Sequence, residues 1–341
     1  MKRAFLQTEN RVRRTYRGGR HIDEFLGKES CCDSFFPEDW ISSFVEAKNK
    51  IYVKGEGVSS FIVDGRLVPI TEAVSEEDFG EGRRESGVLV KLLDAAERLG
   101  IQVHPTPDFS RCYFSSEHGK TECWHILSAD EGAAVYIGFK QGVTKERWRA
   151  LFDAQDVDGM LACLHKLSVR SGDTVLVRAG TPHAIGSGCF LLEIQEPTDY
   201  TMRVEKTTLA GEVLTPMQVH YGVGEEALLD CFVYEGLTEA QAREKFFLRE
   251  KAGGGAFCET MLADYDDTPC FALGILKDNE KILPESFVTL VVTQGGEVKV
   301  GEQRLSVRRG EKLFVPHGCG EISIYGAEAL VCYPPKRSVI C

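Results

Sequence analysis

The sequence predicts a mainly β protein of two related domains, the first of them carrying a small helical insertion. Three observations point there: short β-branched and aromatic runs punctuated by glycine, an internal repeat, and an ordinary globular composition. At roughly 150 residues per domain, 341 residues suggest two domains. Apolar residues make up 43% and charged residues 27%, so the chain can bury a sizeable core. The net charge of −12 repels phosphate backbones and anionic lipid, which argues against nucleic acid or a membrane as partner.

The chain opens on Lys2, Arg3, Arg11, Arg13, Arg14, Arg17 and Arg20 against Glu9 alone, which reads as a solvated, partly strand-like edge. No apolar run follows that could serve as a secretory segment or span a bilayer, and a cytoplasmic location is expected. The twelve cysteines agree, since they form no C-x-x-C pair and the adjacent Cys31 and Cys32 suit neither zinc nor an ordinary disulfide. They read as reduced, mostly buried small hydrophobes. Strand texture covers 57–69, 135–139, 174–177, 190–194 and 287–300. The stretch 88–99 carries two signals, a buried strand at its start and a helix over 94–99. Thr144 can cap a helix in which Trp148, Leu151 and Phe152 share a face, and Leu161, Leu164 and Leu167 suggest a second short helix. The helical insertion is therefore expected over 144–167. The polar, helix-prone run 238–246 and the glycines at 253–255 mark a boundary, giving domains at 1–235 and 247–341.

The repeat supports that division. Residues 168–183 read SVRSGDTVLVRAGTPH and residues 306–321 read SVRRGEKLFVPHGCGE, with Gly172 matching Gly310 and Gly180 matching Gly318. This pattern resembles the second motif of the cupin jelly roll, whose turn delivers a metal ligand into the barrel. The ligand position is His183 in the first copy and Glu321 in the second. No histidine lies between His220 and His317, so a metal is expected in the first domain alone.

Strand alternation supplies partners for His183. Residues two apart in a strand face one side, so Gln102 and His104 can point inward together, as can Lys120, Glu122 and Trp124. Four segments carry a closer likeness: GIQVHP at 100–105, HGKTECWHIL at 118–127, GTPHAI at 180–185 and EPTDYTMR at 196–203. They resemble the type I mannose-6-phosphate isomerases, zinc-dependent enzymes of the cupin superfamily. RTYRGGRHIDEF near the start, FPEDWISS at 36–43 and VKLLDAAERL at 90–99 extend the likeness. It is most specific over the first 205 residues and only architectural in the last 95.

The resemblance implies two cupin-type jelly rolls and interconversion of D-mannose 6-phosphate and D-fructose 6-phosphate through a metal-stabilised enediol. It implies one zinc per chain on Gln102, His104, Glu122 and His183. Two imidazoles, an amide and one carboxylate would leave bound divalent zinc with a net charge of about +1, still a Lewis acid. It also implies Lys91 and Asp199 around the substrate, and Lys120, Glu193 and Arg203 as catalytic groups. A rigid guanidinium fork suits a phosphate or a developing enediolate, and lysine can act as a base where burial or nearby positive charge lowers its pKa. Lys120 is the first choice of base and Glu193 the second. Alternation places Arg203 on one face with Asp199 and Thr201. Two positions depart from the family: Gly100 stands where a serine is usual, and Arg17 where many relatives have tryptophan. Two other readings compete, a sugar-phosphate sensor without turnover and a metal-dependent cupin oxygenase, to which a glutamine ligand is poorly matched.

Overall fold

The computed structural model describes residues 2–336. Met1 and residues 337–341 lie outside the described residues, and with them Cys341 and both outer ends of the expected domains. The chain is mainly β and forms several antiparallel sheets rather than a closed barrel.

In the N-terminal half a seven-stranded sheet runs in the order Phe247–Leu248, Thr174–Val177, Glu122–Ala129, Cys189–Gln195, Leu89–Ala95, Glu38–Ile41 and Arg11–Val12. Facing it is a sheet of Leu164–Ser168, Ala134–Lys140, His183–Ile185, Gln102–Val103 and Met202–Arg203, with Gly236–Leu237 added in parallel to Ala134–Lys140. Leu93, Trp124, Ile126 and Leu191 of the first sheet pack against Val135, Ile137 and Ile185 of the second, filling the space between them. The other face of the large sheet, with Val90, Leu92, Cys123 and Ile194, is buried against Leu273, Val291, Phe314 and Leu330 of the C-terminal half.

That double burial explains the stretch 88–99. Leu89–Ala95 is a strand buried at every residue, clamped between Glu38–Ile41 and Cys189–Gln195. The strand expected at the start of the stretch is there, while the helix signal over 94–99 is overridden: Asp94 and Ala95 still belong to the strand, held by its two partners. Alternation sends Val90 and Leu92 toward the C-terminal half and Lys91 and Leu93 into the inter-sheet space, which is how a lysine comes to lie in the core.

The helical insertion is shorter than expected. Helices Lys145–Ala154 and Val157–Ala162 begin at Thr144 and Asp156, whose side chains accept from the Arg147 and Gly159 backbone N–H groups. Leu164 and Leu167 do not extend the second helix. They belong to the strand Leu164–Ser168, where pairing with Ala134–Lys140 overrides the helical spacing. Helix Glu239–Phe246 starts with a reciprocal Thr238–Gln241 capping box and buries Ala242 and Phe246 in the first core.

In the C-terminal half, a seven-stranded sheet and a four-stranded sheet enclose their own core of Leu290, Val298, Leu313, Ile322 and Val331. The repeat is visible in the backbone. Gly172 (φ 93°) and Gly310 (φ 87°) turn alike, as do Gly180 and Gly318 (both φ 82°), a conformation open to glycine at little cost. The two halves are tied together at two further points. Phe5–Leu6 joins the C-terminal sheet beside Lys312–Val315, and Lys312 forms a buried ion pair with Asp39. Phe247–Leu248 still pairs with Thr174–Val177 in the first unit, whereas Lys251–Ala252 belongs to the second.

All eleven cysteines among the described residues are free thiols, six of them buried. Among the described residues no helix is long and apolar enough to cross a membrane.

Candidate active site and metal centre

His183 is directly opposite Gln102 across two paired strands, and Arg203 is opposite Gln102 on the other side. Glu122 enters from the facing sheet. His104 follows Val103 and lies 4.7 Å from His183, ring centre to ring centre. His104, Glu122 and His183 are all buried, with ligand atoms within 4.8 Å of one another, and could hold one metal ion.

Hydrogen bonding fixes which nitrogens face the cluster. His104 Nδ1 donates to the Tyr200 carbonyl at 2.9 Å, and His183 Nδ1 donates to the Thr181 carbonyl at 2.9 Å. Both Nε2 atoms therefore carry lone pairs toward Glu122. Burial lowers the pKa of both rings, that of His104 to about 3, so they are neutral ligands. His104 Nε2 lies 2.7 Å from Glu122 Oε1, two acceptors in contact, which requires positive charge beside them. Lys120 supplies it, with Nζ 3.1 Å from His104 Nε2 and hydrogen-bonded to Glu122. Glu122 is held well below the usual carboxylate range: burial opposes this, and with the His104 ring neutral it is the adjacent Lys120 charge that pulls it down. Gln102, the fourth expected ligand, lies beside the cluster with its amide nitrogen 3.2 Å from His183 Nε2. This donor set, buried and electron-rich around Glu122, fits a divalent cation.

Beside the cluster is a cavity of about 460 Å³. Gln102, Lys120, Glu122, Lys91, Glu193, Asp199 and Arg203 all line it. Glu193 pairs in register with Lys91 on one neighbour and Trp124 on the other. Its Oε1 accepts from Trp124 Nε1 at 2.9 Å, and the same indole donates to Glu122 at 3.1 Å. Its Oε2 is 3.0 Å from Lys91 Nζ, an ion pair without hydrogen-bond alignment. Burial, and then Glu122, raise the Glu193 pKa.

The structure also places residues in the cavity that sequence reasoning left at the surface. Arg14 is not part of a solvated edge: its side chain is 9% exposed, with Nε 3.0 Å from Glu38 and NH2 2.9 Å from Asp199. Glu38 further accepts from Tyr16 and Trp40, each at 2.6 Å, and has Lys91 Nζ at 3.8 Å. Asp199 thus faces Arg14 rather than Arg203. Only Met202–Arg203 is strand there, so alternation cannot be extended back to 199. Arg203 instead donates to the Thr201 and Gln218 carbonyls at 3.2 and 2.7 Å. The available signal for Arg14, Tyr16 and Glu38 was the likeness of RTYRGGRHIDEF and FPEDWISS to the family. Gly100 lines the cavity edge, where a Cβ would meet only Glu205 atoms, the nearer at 3.9 Å, so packing does not demand glycine. Arg17 is exposed beside Gly18, where a Cβ would fall 1.9 Å from the Asp94 carbonyl. Glu321, the second repeat's counterpart of His183, is exposed and pairs with Lys281 at 2.9 Å.

The facing sheets and the buried donor cluster beside a cation-lined cavity define a cupin-like protein with a candidate metal site. No protein-family model matches the chain. The mannose-6-phosphate isomerase ManA of Bacillus subtilis is 36% identical over 251 residues, 72% of this chain and 74% of that protein. That of Streptococcus mutans is 41% identical over 140 residues, 40% of this chain and 43% of that protein. A probable isomerase of Bacillus subtilis, GmuF, is matched over 36% of its length, so the chain's matches span less than half of these last two relatives. Among solved structures, the mannose 6-phosphate isomerase of Bacillus subtilis superposes with a TM-score of 0.74 at 21% identity, covering 97% and 99% of the two chains. A zinc-bound mannose 6-phosphate isomerase gives 0.72 at 16%, covering 97% and 99%. This chain belongs to the mannose-6-phosphate isomerase family.

Proposed function

We propose that the protein interconverts D-mannose 6-phosphate and D-fructose 6-phosphate through an enediol intermediate, using one zinc ion per chain held by Gln102, His104, Glu122 and His183. The observation that carries this is the convergence of His104, Glu122 and His183 against a cavity of sugar-phosphate size lined by Arg14, Lys91, Lys120 and Arg203. Family membership gives the reading its substrate. Zinc, when bound, supplies a Lewis acid beside the sugar oxygens.

The remaining work falls to the chain. Lys120, against the cluster, is the first choice for the group that takes the proton from C2 of the aldose and returns it to C1. Glu193 is the second, because its raised pKa suits a group that both accepts and releases a proton. Arg203, held at NH1 by two carbonyls, presents a fork to the phosphate or the developing enediolate. Lys91 adds fixed positive charge. Asp199 acts on the substrate side by holding Arg14. The division of labour follows the two halves, with 1–235 catalytic and 247–341 without metal. The partner is a small phosphorylated sugar, met in the cytoplasm.

A coupled assay run in both directions tests this reading. Conversion of mannose 6-phosphate to fructose 6-phosphate and back is expected. Binding without conversion would make the protein a sugar-phosphate sensor, and oxygen uptake would make it an oxygenase.

A further inference from the structure

The cavity holds more cations than its carboxylates can pair. Arg14 is taken by Glu38 and Asp199, Lys91 by Glu193, and Lys120 by Glu122. Lys50 reaches out of the cavity to Glu212 at 2.5 Å. Among the described residues lining the cavity, Lys48 and Arg203 remain without a carboxylate partner.

Lys48 is held in place from two directions. Its backbone N–H donates to Asp199 Oδ2 at 2.7 Å, the same carboxylate that grips Arg14. Its Nζ lies 4.8 Å from the centre of the Tyr200 ring. Such a contact positions an ammonium without neutralising it, since the ring carries no net charge. Tyr200 in turn binds His104 through its carbonyl, so one residue links the ammonium to the metal centre. The loop thus delivers an uncompensated positive charge to the cavity mouth at a site tied to the chemistry.

We infer that Lys48 is a specificity-determining residue that takes the terminal phosphate of the substrate and so selects phosphorylated over free sugar. The inference rests on the isomerase reading above for the identity of the sugar, and on charge and geometry alone for the anion. Lys48 is exposed and its anchoring bond is made by the backbone, so a change of side chain leaves the fold standing.

Steady-state kinetics on mannose 6-phosphate and unphosphorylated mannose, with calorimetric binding of inorganic phosphate, test it on Lys48→Met and Lys48→Arg. Loss of one charge-assisted hydrogen bond to the phosphate is worth about 10-fold. Lys48→Met is expected to raise KM for mannose 6-phosphate about 10-fold at nearly unchanged kcat and to weaken inorganic phosphate binding by a similar factor. The preference for mannose 6-phosphate over mannose should fall accordingly, and Lys48→Arg should restore most of it. An unchanged KM, an equal loss on both sugars, or unchanged phosphate binding would overturn the inference. Should the parent protein not turn over mannose 6-phosphate at all, the isomerase reading fails, and phosphate binding by the two variants still decides the role of Lys48.

Discussion

Replacing Arg14 with methionine removes a cation of similar reach from between two buried carboxylates. The side chains of Glu38 and Asp199 are each 5% exposed, so neither can turn to solvent for compensation. Glu38 keeps the Tyr16 and Trp40 donors, but Asp199 keeps only the Lys48 backbone N–H. The Asp199 pKa is lowered from 3.8 to about 2; burial pushes it up, and Arg14 and then Lys91 outweigh burial. A depressed carboxylate adds stability that is present above its unfolded pKa and lost as pH falls through the folded one. At ~1.4 kcal/mol per pKa unit, Asp199 accounts for ~2 kcal/mol at neutral pH, lost between about pH 4 and pH 2. Orphaning a buried charge typically costs ~3–5 kcal/mol, and protonation of Asp199 limits the loss. Arg14→Met should therefore be less stable by about 3 kcal/mol at pH 7 in urea denaturation. Without Arg14, the folded-state pKa of Asp199 rises above its unfolded value, so acidification relieves the variant. The gap should narrow from pH 7 to pH 4.5. A gap below ~1 kcal/mol at pH 7, the range of an exposed ion pair, or one that widens on acidification, would refute the reasoning.

Two further outcomes follow from the site. His183→Ala should lose the bound metal by elemental analysis while keeping its circular dichroism spectrum, because the facing sheets hold the fold without it; retained metal would remove His183 from the ligand set. Arg203→Lys should lower kcat on the order of 100 to 1000-fold with metal content unchanged, since an ammonium keeps the charge but not the fork; normal kcat and KM would take Arg203 out of the active site.

Much of the site was legible because strand alternation is local. Period-two spacing groups Gln102 with His104, and Lys120 with Glu122 and Trp124, and the repeated turn points to His183; the strands themselves cover only Gln102–Val103 and Glu122–Ala129, so His104 and Lys120 reach the cluster from just outside them. What sequence could not show was pairing across elements. Arg14 read as one of seven surface cations because its partners, Glu38 and Asp199, are 24 and 185 residues away. The helix signals over 94–99 and at Leu164 and Leu167 are local, and only the strands paired with Leu89–Ala95 and Leu164–Ser168 override them. The Lys91–Glu193 pair likewise depends on the register of two strands about 100 residues apart.

The central claim is that one metal on the His104, Glu122, His183 and Gln102 cluster serves an isomerase. Its most direct test is to strip metal from the protein with a chelator, add zinc back in substoichiometric steps, and follow conversion of mannose 6-phosphate to fructose 6-phosphate beside bound metal. Activity should vanish on stripping and rise linearly to a plateau at one zinc per chain. Full conversion by metal-free protein, or no conversion at any zinc loading, would contradict the account.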